Sequence, residues 1–328
     1  MNDNFYSNTL LVAKNAHFYF FDSLKGIDVI SGRRLVHLTK NEIGRKKLFH
    51  YQLIIFLDSG FKVSYPSVIK EFTQAKMILF FWNHLTQKYL NLLEASRKIG
   101  LIDSYYSFDP IEAKKYELYH NSTFYTPCVQ LPSQLPDYDL FFGGNDKGRG
   151  KLADAILDKC ANLDVSILLY IINGEKGYKN EGYLPYPKFL EFLVKSNGIL
   201  EIMQENQTGL TLRTMESIFF KKKLVTTNKA IKHYLFYHPD NIFILGEDSI
   251  DDLSQFLKRD YYPIEYEKIK LFESKNWFER FSSVENELLN IEYQESHGYN
   301  NHILLKLLSF KMIHRHSSCY LFLLFYLI

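Results

Sequence analysis

Thr208, Gly209, Thr211, Arg213 and Glu216 fall in one stretch, SNGILEIMQENQTGLTLRTMESIFFKKKLVTTN at 196–228. Its pattern predicts a strand from Gly198 to Met203, a loop from Gln204 to Gly209, a helix from near Leu210 and a strand from Leu224 to Thr227. Small residues before a helix leave backbone N–H groups open, and the first turn carries the positive end of the helix dipole. Such a start attracts phosphate. Glu216, further along the helix, has the chemistry to accept hydrogen bonds from a ribose diol. Arg213, one turn earlier, can bring positive charge to a diphosphate. The alternative is a plain strand–helix crossover that binds nothing, with Arg213 a solvated helix residue.

A second constellation, DYDLFFGGNDKGRGKLADAIL at 137–157, reads strand, glycine turn, helix. Gly143 and Gly144 permit close backbone approach, and Lys147 and Arg149 can neutralise a diphosphate. Gly148 to Ala153 formally match the dinucleotide fingerprint GxGxxA, yet that fingerprint should follow its strand directly and residues 143–147 intervene. A P-loop needs Lys and then Ser or Thr after its second glycine, so Arg149 after Gly148 rules that reading out. Asp137-Tyr138-Asp139 is a nominal DxD metal motif, but it lies where the chain enters a strand, the wrong end for a ligand. His314 and His316 read as solvated residues, so no metal site is expected.

The elements that must position these groups alternate strand and helix. Strands are expected at Thr9 to Ala13, Leu53 to Leu57, Met77 to Trp82 and Ser104 to Phe108, with helices at Pro66 to Ala75, Gln87 to Lys98 and Ile111 to Tyr116. Prolines 127, 132 and 136 mark a linker. The pattern then restarts: strand Leu140 to Phe142, helix Lys151 to Ala161, strand Ser166 to Ile172, helix Tyr186 to Lys195, strand Asn241 to Leu245, helix Ile250 to Leu257. A long amphipathic helix is expected from Tyr266 to about Glu292. Near-continuous apolar strands alternating with helices indicate parallel sheets covered on both faces. The fold class is therefore α/β, with two Rossmann-like doubly wound parallel sheets facing a cleft. Ligands should lie outside the strand C-terminal ends. Asp58, His84 and Asp109 each end a strand at that edge. His84 and Asp58 are the candidates for the catalytic base, with simple cap or turn roles as the alternative.

Length and composition set the frame. A chain of 328 residues has room for two domains. With 46% hydrophobic and 23% charged residues it reads as globular rather than disordered. A net charge of +2 gives no electrostatic case for nucleic acid. Cys128, Cys160 and Cys319 form no paired motif, which argues against a disulfide scaffold or structural zinc and for a reducing, cytoplasmic setting. No signal-peptide pattern opens the chain and no run of 18 apolar residues crosses it. The chain ends KMIHRHSSCYLFLLFYLI, basic and then apolar, a pattern that can dock on a membrane surface, with a helix end packed on the core or a tail altered by frameshift as the alternatives.

These motifs, in this order, resemble the donor side of GT-B glycosyltransferases of bacterial capsule and lipopolysaccharide biosynthesis. The strand followed by a Gly-Gly turn and a Lys-Gly-Arg helix start is similar to the first strand and turn of the C-terminal domain. YLPYPKFLEFLVK at 183–195 is similar to the helix before the donor site, and QTGLTLRTME at 207–216 to that site itself. KNWFERF at 275–281 is similar to the helix that crosses back onto the first domain. The resemblance implies residues 1–130 as an acceptor-side domain, 131–265 as a nucleotide-sugar domain and 266–328 as returning helices with an apolar tail. It implies transfer of a sugar, hexosyltransferase-like, from a nucleotide-diphosphate sugar to a glycan or polyprenyl-linked acceptor at the inner membrane face. No cofactor or metal is needed, because helix dipole and cations hold the diphosphate. Lys147, Arg149, Thr208, Gly209 and Thr211 would hold it, Glu216 the ribose, and His84 or Asp58 the reacting hydroxyl. One departure stands out. Many retaining members carry two glutamates separated by seven residues, and here the first position is Thr208. A non-catalytic binding partner of another transferase is therefore the second reading, and a dinucleotide enzyme a third.

Overall fold

The structure, a computed structural model, describes residues 8–21, 24, 26–126, 130–172 and 182–281. It is an α/β protein with two all-parallel sheets. The first has β1 (Thr9–Val12), β2 (Asp28–Ile30), β3 (Leu53–Leu57), β4 (Lys76–Phe81), β5 (Ser104–Ser107) and β6 (Tyr119–His120), in the order β2-β1-β3-β4-β5-β6. The second has β7 (Tyr138–Asn145), β8 (Ile167–Ile172), β9 (Ser196–Glu201), β10 (Lys223–Thr226) and β11 (Ile242–Ile244), in the order β11-β10-β9-β7-β8. Each order reverses once, between β1 and β3 and between β7 and β9. Parallel sheets leave a crevice at such a reversal, because the connections on either side run to opposite faces.

The strand sequences explain their place. β3 is LIIFL and buried throughout, and Ile55 pairs with Leu11 on one side and Ile78 on the other. Such a strand tolerates no solvent face and must be central. Around the first sheet lie α1 (Gly32–Leu38), α2 (Glu42–His50), α3 (Ser64–Ile69), α4 (Gln87–Ile99) and α5 (Pro110–Lys115). Around the second lie α6 (Gly150–Cys160), α7 (Tyr186–Val194), α8 (Leu212–Phe220) and α9 (Leu253–Lys258), followed by α10 (Tyr266–Ile269) and α11 (Ser274–Glu279). α4 stops at Gly100, whose φ of 66° closes the last turn in the left-handed region. α5 starts on Asp109 with Pro110 in its first turn, where a missing N–H does no harm.

Several elements differ from the sequence pattern. β2, α1 and α2 carry little apolar periodicity, although Ser31 and Asn41 cap the two helices with their side chains. The helix expected at Pro66 to Ala75 runs instead over α3 and a 3₁₀ turn, Lys70–Phe72. β7 continues through Gly143 and Gly144 to Asn145, so these glycines belong to a strand rather than a turn. The helix expected over 266–292 is broken into α10, a 3₁₀ turn (Lys270–Phe272) and α11, and its part beyond 281 lies outside the described residues. The break has a cause: the Phe272 carbonyl accepts from Tyr125 N at 2.7 Å, so it is engaged outside the helical ladder. The apolar tail, His314, His316, Cys128 and Cys319 also lie outside the described residues. Among the described residues no helix is long and apolar enough to cross a membrane.

The core is continuous from one sheet to the other. Leu11, Ile55 and Phe80 of the first sheet share a cluster with Phe141 and Ile199 of the second. Trp277 of α11 sits in that cluster, fully buried, with ring centroids 5.0 Å from Phe80 and 4.3 Å from Phe124. Arg280 adds a polar tie, donating from Nε to Asn121 Oδ1 at 2.7 Å. Trp277→Ala therefore empties a ring-sized space in the core, and the unfolding free energy should fall by about 3–5 kcal/mol. Urea unfolding checks this; a loss below about 1 kcal/mol would show that α11 contributes no core contact of weight.

Candidate functional site

The C-terminal edges of the two sheets meet over a cleft of about 290 Å³. His17, Trp82 and His84 line it from the first sheet's side, and Lys147, Arg149 and Arg213 from the second. The order reversal of the second sheet, between β7 and β9, therefore opens on this space. Gly143 and Gly144 at the end of β7 form part of the wall.

The second wall is cationic. Arg149 donates from Nη1 to Ile202 O and from Nε to Asp146 O, each at 3.0 Å, and from Nη2 to Asn145 O. All three partners are neutral carbonyls, which fix the guanidinium without cancelling its charge. Burial, and then the neighbouring Arg213 charge, pull its pKa down to about 10. Both effects penalise the cation and would be relieved by an anion. Arg213 donates to Gly143 O at 2.7 Å from Nη2 and to Glu216 at 2.8 Å, and lies 4.0 Å over the Phe189 ring. Lys147, at φ 48°, stands on the cleft wall, and its ammonium has no hydrogen bond or ion pair among the described residues. Gly143 has a packing role: a Cβ there would come within 2.7 Å of Phe141 and 2.9 Å of Phe189. A Cβ on Gly144 would stand 3.2 Å from Arg149 Nη2, so this glycine keeps room for the guanidinium.

Thr208 and Gly209 face a partner that the sequence motif does not name. Their donors are taken by a carboxylate of the protein itself. Thr208 N and Gly209 N donate to Asp109 Oδ2 at 2.6 and 2.7 Å, and Thr208 Oγ1 donates to Oδ1 at 2.9 Å. Asp109 is fully buried and also accepts from Ile111 N and Glu112 N. The loop does offer an anion nest, as its sequence suggests, but the anion is Asp109 from the first sheet. Gly209 is small for the same reason, since a Cβ would meet Phe108 O at 2.8 Å and Asp109 Cα at 2.9 Å.

Thr211 and Glu216 are also placed by neighbours. Thr211 caps α8, accepting from Arg213 N at 2.9 Å and donating to Glu201 Oε1 at 2.5 Å. Glu201 ends β9, lines the cleft and is held by two further hydroxyls, Thr214 at 2.8 Å and Thr226 at 2.5 Å. Glu216 is fully buried and does not line the cleft. Burial raises its pKa against the pull of Arg213. Glu216 anchors Arg213.

On the first sheet's side Asp58 is a clamp. It is buried, with a pKa pushed up to about 6 by that burial, and it accepts from Ser59 N at 2.6 Å and Asn83 N at 2.9 Å. It joins the ends of β3 and β4 and stays out of the cleft. His84 does line the cleft, with Nδ1 2.5 Å from Glu112 Oε1. By distance this is an ion pair; its angles fall short of a well-aligned hydrogen bond. The carboxylate raises the pKa of His84 above the ordinary histidine value. His17, near Ser59 Oγ at 3.2 Å, is driven the other way, to about 4, by burial and then by Lys14.

Glu112, Glu201 and Trp82 are the residues that sequence reasoning passes over. Glu201 gives no strand-end signal, because Ile202 and Met203 continue the apolar run past it, whereas β9 ends at Glu201. The dinucleotide fingerprint fares differently from its sequence reading. Only Asp146 and Lys147 separate β7 from Gly148, yet Asp146 Oδ1 takes the Gly150 N–H at 2.7 Å, where that fingerprint would receive a pyrophosphate. Asp139 of the DxD accepts from Ser166 N and Oγ at 2.8 Å each, away from the cleft. No cluster that could hold a metal ion occurs among the described residues.

Models of known protein families were compared with the chain and none matches. No curated protein matches it in sequence.

The Asp109 contact yields a prediction. Asp109→Ala strips four backbone N–H groups of their acceptor, and stability should fall by about 3 kcal/mol or more. Gly209→Ala should also destabilise, by about 1–3 kcal/mol, because its Cβ meets backbone rather than a side chain that can turn away. Chemical denaturation of both variants checks this; wild-type stability in Asp109→Ala would show the contact to be incidental.

Proposed function

We propose that this chain is a glycosyltransferase of the GT-B arrangement, moving a sugar from a nucleotide-diphosphate donor to a glycan or lipid-linked acceptor. The observation that carries this reading is the cleft between two parallel sheets, with Arg149 and Lys147 uncommitted to any carboxylate on one wall and His84 on the other. The diphosphate belongs on Lys147, Arg149 and Arg213, not on the loop at 208–209. Two guanidiniums suit its paired oxygens, and they need no metal to hold it. Gln204 and Gln207, which line the same end, offer the polar groups for the nucleoside. His84 is placed to take the proton of the acceptor hydroxyl as its oxygen bonds to the anomeric carbon. The carbon–oxygen bond to phosphate breaks, and the diphosphate leaves with that electron pair.

A non-catalytic nucleotide- or glycan-binding role is the second reading. Two observations favour it: Glu216 is buried behind Arg213, and Asp109 fills the nest at Thr208 and Gly209. Transfer of label from a donor sugar separates the two readings, because a binding module consumes no donor.

Thermal unfolding with UDP-, GDP-, CMP- and dTDP-sugars, and with NAD, tests the site. Saturation at a hundredfold excess over Kd stabilises the native state by about 2.7 kcal/mol, so one nucleotide family should raise the melting temperature. Arg149→Ala should weaken that binding by about 10- to 100-fold. Unchanged affinity in Arg149→Ala, or a response to NAD alone, would overturn the placement.

A further inference from the structure

Glu112 has no counterpart in the sequence motifs, yet it is a tightly held carboxylate beside the cleft. It projects from α5 and is 5% exposed. Oε1 accepts from Leu85 N at 2.8 Å and stands 2.5 Å from His84 Nδ1, and Oε2 accepts from Ser107 Oγ at 3.2 Å. The carboxylate is thus locked by the backbone after His84 and by the end of β5 before it meets the imidazole. α5 is itself pinned by Asp109, which caps it and binds the second sheet's loop.

We propose that Glu112 is the positioning residue of His84: it holds Nδ1 and its proton, and leaves Nε2 as the ring nitrogen that takes a proton from a hydroxyl in the cleft. A neutral imidazole carries one N–H, and an acceptor beside one nitrogen selects the tautomer with the lone pair on the other. The carboxylate then stabilises the imidazolium formed when Nε2 accepts the proton, which makes His84 a stronger base. The catalytic meaning of this arrangement rests on the transferase reading; the tautomer and the basicity do not.

The charges around His84 set the pH behaviour. Glu112 and Asp109 raise its pKa, whereas burial and Lys147 lower it. Arg149, Arg213 and the neutral-leaning His17 line the same cleft. Because the folded-state pKa is raised, this pair stabilises the fold fully below the ordinary histidine range, and the contribution is lost as pH rises through the raised value. Chemistry runs the opposite way: the base works only once His84 is neutral, so activity should rise through that same pKa.

Nitrogen-15 NMR of histidine-labelled full-length protein tests the proposal, with the His84 signals assigned by their absence in His84→Asn. In wild type, neutral His84 should be the Nδ1–H tautomer and should titrate above the ordinary histidine value. Glu112→Gln keeps an acceptor for Leu85 N but removes the charge, so the titration should move down. The acid limb of any transferase pH profile should move down with it. A neutral Nε2–H tautomer in wild type overturns the proposal without any variant. An unshifted His84 titration in folded Glu112→Gln also overturns it. If the tautomer and shift are found but His84→Asn retains full transfer activity, the positioning stands and the transferase assignment of His84 falls; a loss of about 100-fold or more supports both.

Discussion

One buried carboxylate ties the two sheets together where they must meet. Asp109 closes β5, caps α5 and receives the N–H groups of Thr208 and Gly209 from the loop after β9. A fully buried charge is tolerated only when hydrogen bonds replace its water, and here four backbone donors and a hydroxyl do so. The geometry is demanding, because the donors come from chain segments about a hundred residues apart. Asp109 holds the end of β5 against the loop after β9, beside the cleft.

That constraint also decides which groups are left for a ligand. Carboxylates beside the cleft are each committed. Asp58 joins two strand ends, Glu112 meets His84, Glu201 holds three threonine hydroxyls and Glu216 holds Arg213. The cations are committed differently. Arg149 is fixed by carbonyl oxygens, and Lys147 by nothing but its backbone. A net charge of +2 over the whole chain hides this local separation. Arg149 and Lys147 bring positive charge to the cleft, and Glu201, held only by threonine hydroxyls, brings a negative one, so an anionic ligand is favoured beside the two cations rather than throughout the cleft.

The strands were legible because parallel sheets demand long apolar runs, and LIIFL and KMILFF leave no other reading. The strand-end placement of His84 and Asp58 followed from the same rule. What separated them was invisible in the sequence. Both close an apolar strand, but Asn83 folds onto Asp58 and removes it from the cleft, while His84 stays on the wall. The contact of Thr208 and Gly209 with Asp109 was invisible for the same reason. Local sequence announced an anion nest correctly, and only a contact over about a hundred positions of chain showed which anion fills it. α1 and α2 escaped notice because their caps, Ser31 and Asn41, precede helices with few buried apolar residues.

The same short helix carries both carboxylates that matter to the first sheet's wall. Asp109 at its cap and Glu112 in its first turn face different partners, one on the second sheet and one on His84. A shift of α5 would therefore disturb the contact between sheets and the orientation of the histidine together. Asp109 and Glu112 both raise the pKa of His84, so the pairing of the sheets and the proton affinity of the imidazole draw on one local field. Lys147, on the second sheet's wall of the cleft, acts on His84 with the opposite sign.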